Sequence, residues 1–130
     1  MDPIAAWHRF VRERDPALLD ALIADDAVFQ SPAVHAPQTG KAQTIRYLTA
    51  AMRVLGNDSF RYLNEWRGDG SAVLEFESEI DGYTANGVDI LHWGGDGRIV
   101  LFKVMVRPLK VLGRLVEKMI VELSVPDPAA

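Results

Sequence analysis

The sequence contains no cysteine. Disulfides, thiolate nucleophiles and cysteine-held metal sites are therefore excluded together, and a reducing cytoplasm is the expected location. Long apolar runs are also missing. No window approaches the roughly 18 residues of a membrane-spanning helix, and the opening "MDPIAAWHRF" lacks the basic start and apolar stretch of a secretory leader. No membrane contact is expected. Positive charge is in deficit, with 14 Lys and Arg against 18 Asp and Glu and a net charge of -4. Phosphate backbones need a basic surface, so no nucleic-acid partner is expected. The three histidines form no H-x-H or HExxH pattern, and no metal is expected. Nucleophile-elbow, phosphate-loop and dinucleotide-binding motifs are likewise missing, so no cofactor is implied.

What is present is a chain of 130 residues, about half of them hydrophobic, enough for one domain with its own core. Asp2-Pro3 is a helix start signal, and Ile4, Trp7, Phe10 and Val11 then recur at helical spacing. Asp15-Pro16 repeats the signal. It predicts a second short helix with Leu18, Leu19, Leu22 and Ile23 buried, closed by Asp25 and Asp26. "AVFQS" reads as a strand, "PAVHAPQTG" as a loop, and 41–55 as a third helix stopped by Gly56-Asn57.

The hydrophobic period then changes from 3.6 to 2. "SFRYLNEW", "AVLEFESEID", "GVDILHW" and "IVLFKVMVR" alternate and are separated by turn sequences, including "GGDG". Pro108 opens a last amphipathic helix to about Leu123. Helices followed by an antiparallel meander predict an α+β fold. One domain is expected over 1–123, with a loose tail at 124–130.

Charge is unevenly spread. Between Glu65 and Asp96 lie eight acids and one base, Arg67; between Lys103 and Lys118 lie five bases and one acid, Glu117. The row Glu75, Glu77, Glu79 and Asp81 is expected to be a solvated or interface face, balanced by Arg61, Lys103 or Arg107.

Three patches resemble a known superfamily: "RDPALLDALIADDAVFQSP", "TGKAQTIRYL", and "GVDILHWGGDGRI" with its D-x-x-x-[FW]-x-x-x-G-[RK]-[IV] spacing. They are similar to the cone-shaped nuclear transport factor 2-like proteins, which include SnoaL-like polyketide cyclases and ketosteroid isomerases. The resemblance implies N-terminal helices packed on a strongly curved, mostly antiparallel sheet that encloses a pocket, plus a C-terminal helix. It also implies a homodimer through the outer sheet face. The isomerases resembled use an Asp base, a Tyr donor and a second, protonated Asp. Carried over, these roles fall on Ser31, Trp7 and Asp89. Serine does not abstract a carbon-bound proton unaided, and an indole N–H only donates, so a standard ketosteroid isomerase is not implied.

Asp89 shares a face with Leu91 and Trp93, and is the expected catalytic acid, base or donor. Trp7, Ser31, Tyr47, Phe76, Leu91, Trp93, Phe102, Val104 and Val106 are the expected ligand-binding set: apolar walls with few polar groups, the recipe of a small-molecule pocket. His92 has the opposite parity and belongs to the outer face. His35 falls in the loop at the pocket mouth, and His8 faces solvent. The resulting expectation is a pocket protein for a small hydrophobic carbonyl compound, with proton transfer of the isomerase or cyclase kind. The alternatives are a non-catalytic ligand-binding or dimerisation module, and an epoxide hydrolase-like enzyme, for whose arginine the chain offers no match.

Overall fold

The computed structural model describes residues 2–124. Helix α1 (Pro3–Glu13) starts where Asp2 accepts a hydrogen bond from the Ile4 N–H at 3.0 Å, and it buries Ile4, Trp7 and Phe10. Arg14 ends it in the left-handed conformation, and its guanidinium donates to the carbonyls of Met52 and Gly56. The end of α1 is thereby tied to the end of α3 (Lys41–Leu55). Helix α2 (Pro16–Leu22) is capped in the same way by Asp15.

The strands are β1 (Ile23–Gln30), β2 (Gln38–Thr39), β3 (Arg61–Arg67), β4 (Ser71–Ile80), β5 (Tyr83–Trp93) and β6 (Ile99–Arg107), followed by α4 (Leu109–Ser124). They form one curved sheet in the order β2-β1-β6-β5-β4-β3, with β1 parallel to β6 and every other pairing antiparallel. The α+β expectation agrees with this architecture. Helices α3 and α4 pack on each other, α3 against β1 and α4 against β6.

Local expectations differ in four places. Ile23 opens β1 instead of ending α2, so Asp25 and Asp26 lie within the strand. Both are exposed, and the β1–β6 register slips between Ile23 and Val28, so the chain bulges where the two acids meet water. The loop after Pro32 contains the short β2, paired Val28 to Thr39 and Phe29 to Gln38. Ser124 belongs to α4, while the rest of the expected tail, 125–130, lies outside the described residues.

The fourth concerns the acidic row. Glu77 pairs with Arg61 across the sheet, but Glu75 accepts from Asn64 and Asn86, not from Lys103 or Arg107. Asp81 is a turn residue at φ 52°, paired with Arg114 and Lys118 of α4.

Alternation along β4 buries Leu74, Phe76, Ser78 and Ile80 on the concave face. Ser78 spends its hydroxyl on the Leu55 carbonyl at 2.6 Å, which satisfies both groups in the core. On the outer face Trp66 and Met105 remain more than half exposed.

Candidate functional site

Asp89 sits in the middle of β5, opposite Leu74 of β4 and Val104 of β6. Its side chain points to the concave face and is 6% exposed. A carboxylate there must find hydrogen bonds or give up its charge. One bond is found: the Tyr62 hydroxyl donates to Asp89 Oδ2 at 2.6 Å. Tyr62 in turn accepts from the Trp7 indole N–H at 2.8 Å. An indole nitrogen has no lone pair to offer and can only donate. The relay therefore runs one way, from Trp7 to Tyr62 to Asp89.

The electrostatics follow from burial. Desolvation pushes the Asp89 carboxyl from its ordinary 3.8 to about 7, with the Tyr62 hydrogen bond pulling the other way. The Tyr62 phenol is raised well above its usual value, first by burial, then by the neighbouring Asp89 charge and its bond to that carboxylate. Tyr62 keeps its proton, and Asp89 is the group poised to exchange one near neutrality.

Among the described residues no sealed side-chain nitrogen or oxygen lacks a hydrogen-bond partner. The second Asp89 oxygen has no such partner there, so it must border open space. Asp89 is one of the residues lining a narrow crevice of about 20 Å³, whose other walls include Trp7, Leu48, Met52, Phe60, Phe76 and Phe102. Gly87 makes room for one wall, because a Cβ at Gly87 would come within 2.5 Å of the Phe76 ring. Beside the crevice lies an apolar cavity of about 220 Å³. Phe29, Ser31 and Tyr47 line one side of it, and Leu115, Met119 and Ile120 of α4 the other. Ala51, Leu55 and Val104 border both spaces.

The structure thus divides the expected ligand set. Trp7, Phe76, Phe102 and Val104 gather around Asp89. Ser31 and Tyr47 line the cavity with Val104 but not the crevice, and the Ser31 hydroxyl accepts from the Ala33 N–H at 3.0 Å in a local turn. The serine carried over to the base position is therefore not in the space that Asp89 borders. Leu91 is fully buried in the core, and Trp93 is half-buried beyond a register shift after His92; neither lines the cavity or the crevice. Val106 and His35 border a surface groove that shares Ser31, Pro32, Val34 and Val104 with the cavity.

His92 is exposed, as its parity implied. His8, expected in solvent, is half-buried: its Nε2 lies 2.9 Å from Glu65 and its ring meets Tyr62 edge-on. Among the described residues no cluster of His, Asp and Glu is fit to hold a metal.

Tyr62 is the residue that sequence reading missed. Its signal was the alternation of "SFRYLNEW", which turns Phe60 and Tyr62 toward the same aromatic wall. The β3–β4 register then shifts between Tyr62 and Asn64, and only Tyr62 of β3 is drawn in from the exposed strand.

Residues 4–102 match the SnoaL-like domain family. No curated protein matches the sequence. Among solved structures, the chain is similar to a steroid delta-isomerase from Pseudomonas aeruginosa, with 36% identity, a TM-score of 0.88, and 94% of this chain and 89% of that one covered. It is similar also to an uncharacterised protein with a cystatin-like fold from Silicibacter pomeroyi DSS-3, at 29% identity and TM-score 0.84 over 92% of this chain and 83% of that one. An NTF2-like protein of unknown function from Mesorhizobium loti shares the fold at 22% identity and TM-score 0.68, over 82% and 91% of the two chains.

Proposed function

The chain belongs to the SnoaL-like domain family, within the nuclear transport factor 2-like superfamily, and from that premise we propose that it binds a small hydrophobic carbonyl compound and moves a proton on it through Asp89. The observation that carries this reading is one buried carboxyl, held on one oxygen by Tyr62 at 2.6 Å, in the lining of an apolar crevice. Likeness to a steroid delta-isomerase supports the reaction type.

Asp89 is the only titratable side chain among the described crevice residues. A single base must then both take and return the proton. Ionised Asp89 removes a proton from the carbon next to the carbonyl, leaving an enolate. The same group, now protonated, delivers it to the far carbon of the conjugated system. One C–H bond breaks, another forms, and the double bond moves with no net change in composition. A base with a pKa near the working pH suits both halves. Tyr62 and Trp7 hold the carboxylate in one orientation throughout, because the phenol proton is committed to Oδ2.

The test is hydrogen exchange. Small cyclic ketones and enones are incubated with the protein in D2O, and deuterium uptake beside the carbonyl is followed by NMR. Uptake with wild type and its loss in Asp89→Asn is the expected result. The narrowness of the crevice, about 20 Å³, favours a second reading in which the protein binds such compounds without turning them over. Binding with no exchange in either protein would select that reading and reject the catalytic one.

A further inference from the structure

The crevice that Asp89 lines and the cavity next to it differ about tenfold in size, and the difference says what kind of molecule fits. The crevice at the carboxyl, about 20 Å³, has room for about one water-sized group. The edge of a molecule, its carbonyl and the carbon beside it, reaches such a space; a whole ring does not enter it. The cavity beyond it, about 220 Å³, is half as large again as the roughly 150 Å³ that holds one benzene molecule. One ring fits with room to spare and two compact fused rings fill it. A four-ring carbon skeleton, several times the bulk of benzene, is not held whole within it.

The lining chemistry narrows the class further. The described residues of the cavity wall include no charged side chain, and the hydroxyls of Ser31 and Tyr47 are its polar groups. A ligand carboxylate or phosphate would be buried there without a counter-charge, at a cost of several kcal/mol. The part of the molecule held in the cavity must be neutral. The crevice and the cavity meet at Ala51, Leu55 and Val104. Ala51 contributes a single methyl group at that junction, and it stands on α3, where a leucine would leave the helix intact.

We propose that the ligand is a neutral molecule of one or two rings, or a chain of equal bulk, with a carbonyl at one end, whose body fills the cavity and whose carbonyl end passes the Ala51 junction to reach Asp89. A four-ring steroid exceeds the cavity and would extend past Ser31 and Val34 into the groove they also line. This rests on the pocket reading above and adds to it the size, the charge and the direction of the ligand. Ala51 becomes a specificity-determining residue, since its small side chain keeps the junction open.

The experiment compares three probes by calorimetry: 2-decalone, a two-ring ketone; decalin, the same body without the carbonyl; and 4-androstene-3,17-dione, a four-ring ketone. Wild type and Ala51→Leu are titrated with each. Wild type is expected to bind 2-decalone at least tenfold more tightly than either other probe. In Ala51→Leu the preference for 2-decalone over decalin should vanish, because the carbonyl no longer passes the junction. Steroid binding equal to or tighter than decalone binding would overturn the size limit while leaving the pocket reading in place. Decalone preference unchanged in Ala51→Leu would overturn the direction of entry into the crevice. No binding of any probe would overturn this proposal and the pocket reading together.

Discussion

Replacing Asp89 by asparagine removes the one carboxyl, among the described residues, that burial holds far from its ordinary pKa while keeping an oxygen to accept from Tyr62. The consequence is a change in how stability depends on pH. In the folded protein the carboxyl takes up its proton at about 7, against 3.8 for the ordinary group. The folded state therefore binds a proton that the unfolded state has released throughout that interval. Stability rises with pH only where the unfolded state carries more protons, so here it falls. The loss begins near pH 4 and levels off above about 7. At roughly 1.4 kcal/mol per pH unit, the interval amounts to about 4 kcal/mol. Asp89→Asn escapes this loss. Urea unfolding of both proteins between pH 4.5 and 8 should show the variant gaining on wild type as pH rises, by most of those about 4 kcal/mol. Taking the difference between the two proteins cancels the surface carboxylates they share. A gap that stays flat over the range, or that closes as pH rises, would refute the claim that Asp89 is held protonated by burial.

Tyr62→Phe removes the hydrogen bond that favours the ionised carboxylate and strands the Trp7 N–H. The Asp89 carboxyl should then titrate above its wild-type midpoint by carbon NMR, and the fold should lose about 1–3 kcal/mol in denaturant unfolding; a midpoint that falls would contradict the direction of the relay. Gly87→Ala places a methyl 2.5 Å from both the Phe76 ring and the Met105 carbonyl oxygen, for an expected loss of about 1–3 kcal/mol by overpacking. Unchanged thermal stability would mean that Phe76 does not depend on that gap.

Local pattern carried the helices and the meander because their causes are local. Asp2-Pro3 and Asp15-Pro16 cap helices by contacts within two residues, and the β4 alternation needs only its neighbours to bury Leu74, Phe76, Ser78 and Ile80. Ile23 failed the same logic for a definite reason. It lies four residues after Leu19, so it satisfies a helical stripe and a buried strand equally, and packing beside Ile99 of β6 decided for the strand. Asp89 was legible because its oddity, an acid on a greasy face, is written in one strand. Tyr62 was not. It looks outward-bound on a strand that is otherwise solvated, and the register shift that follows it is invisible to alternation. The role carried over to Trp7 was close in space and wrong in chemistry: the hydroxyl at the site comes from a residue 55 positions away, and the indole only aims it. A proton-transfer site of this kind is a relation between elements. Its acid can be suspected from sequence, but the donor that orients it and the room left beside it exist only once β3, β5 and α1 have been folded against one another.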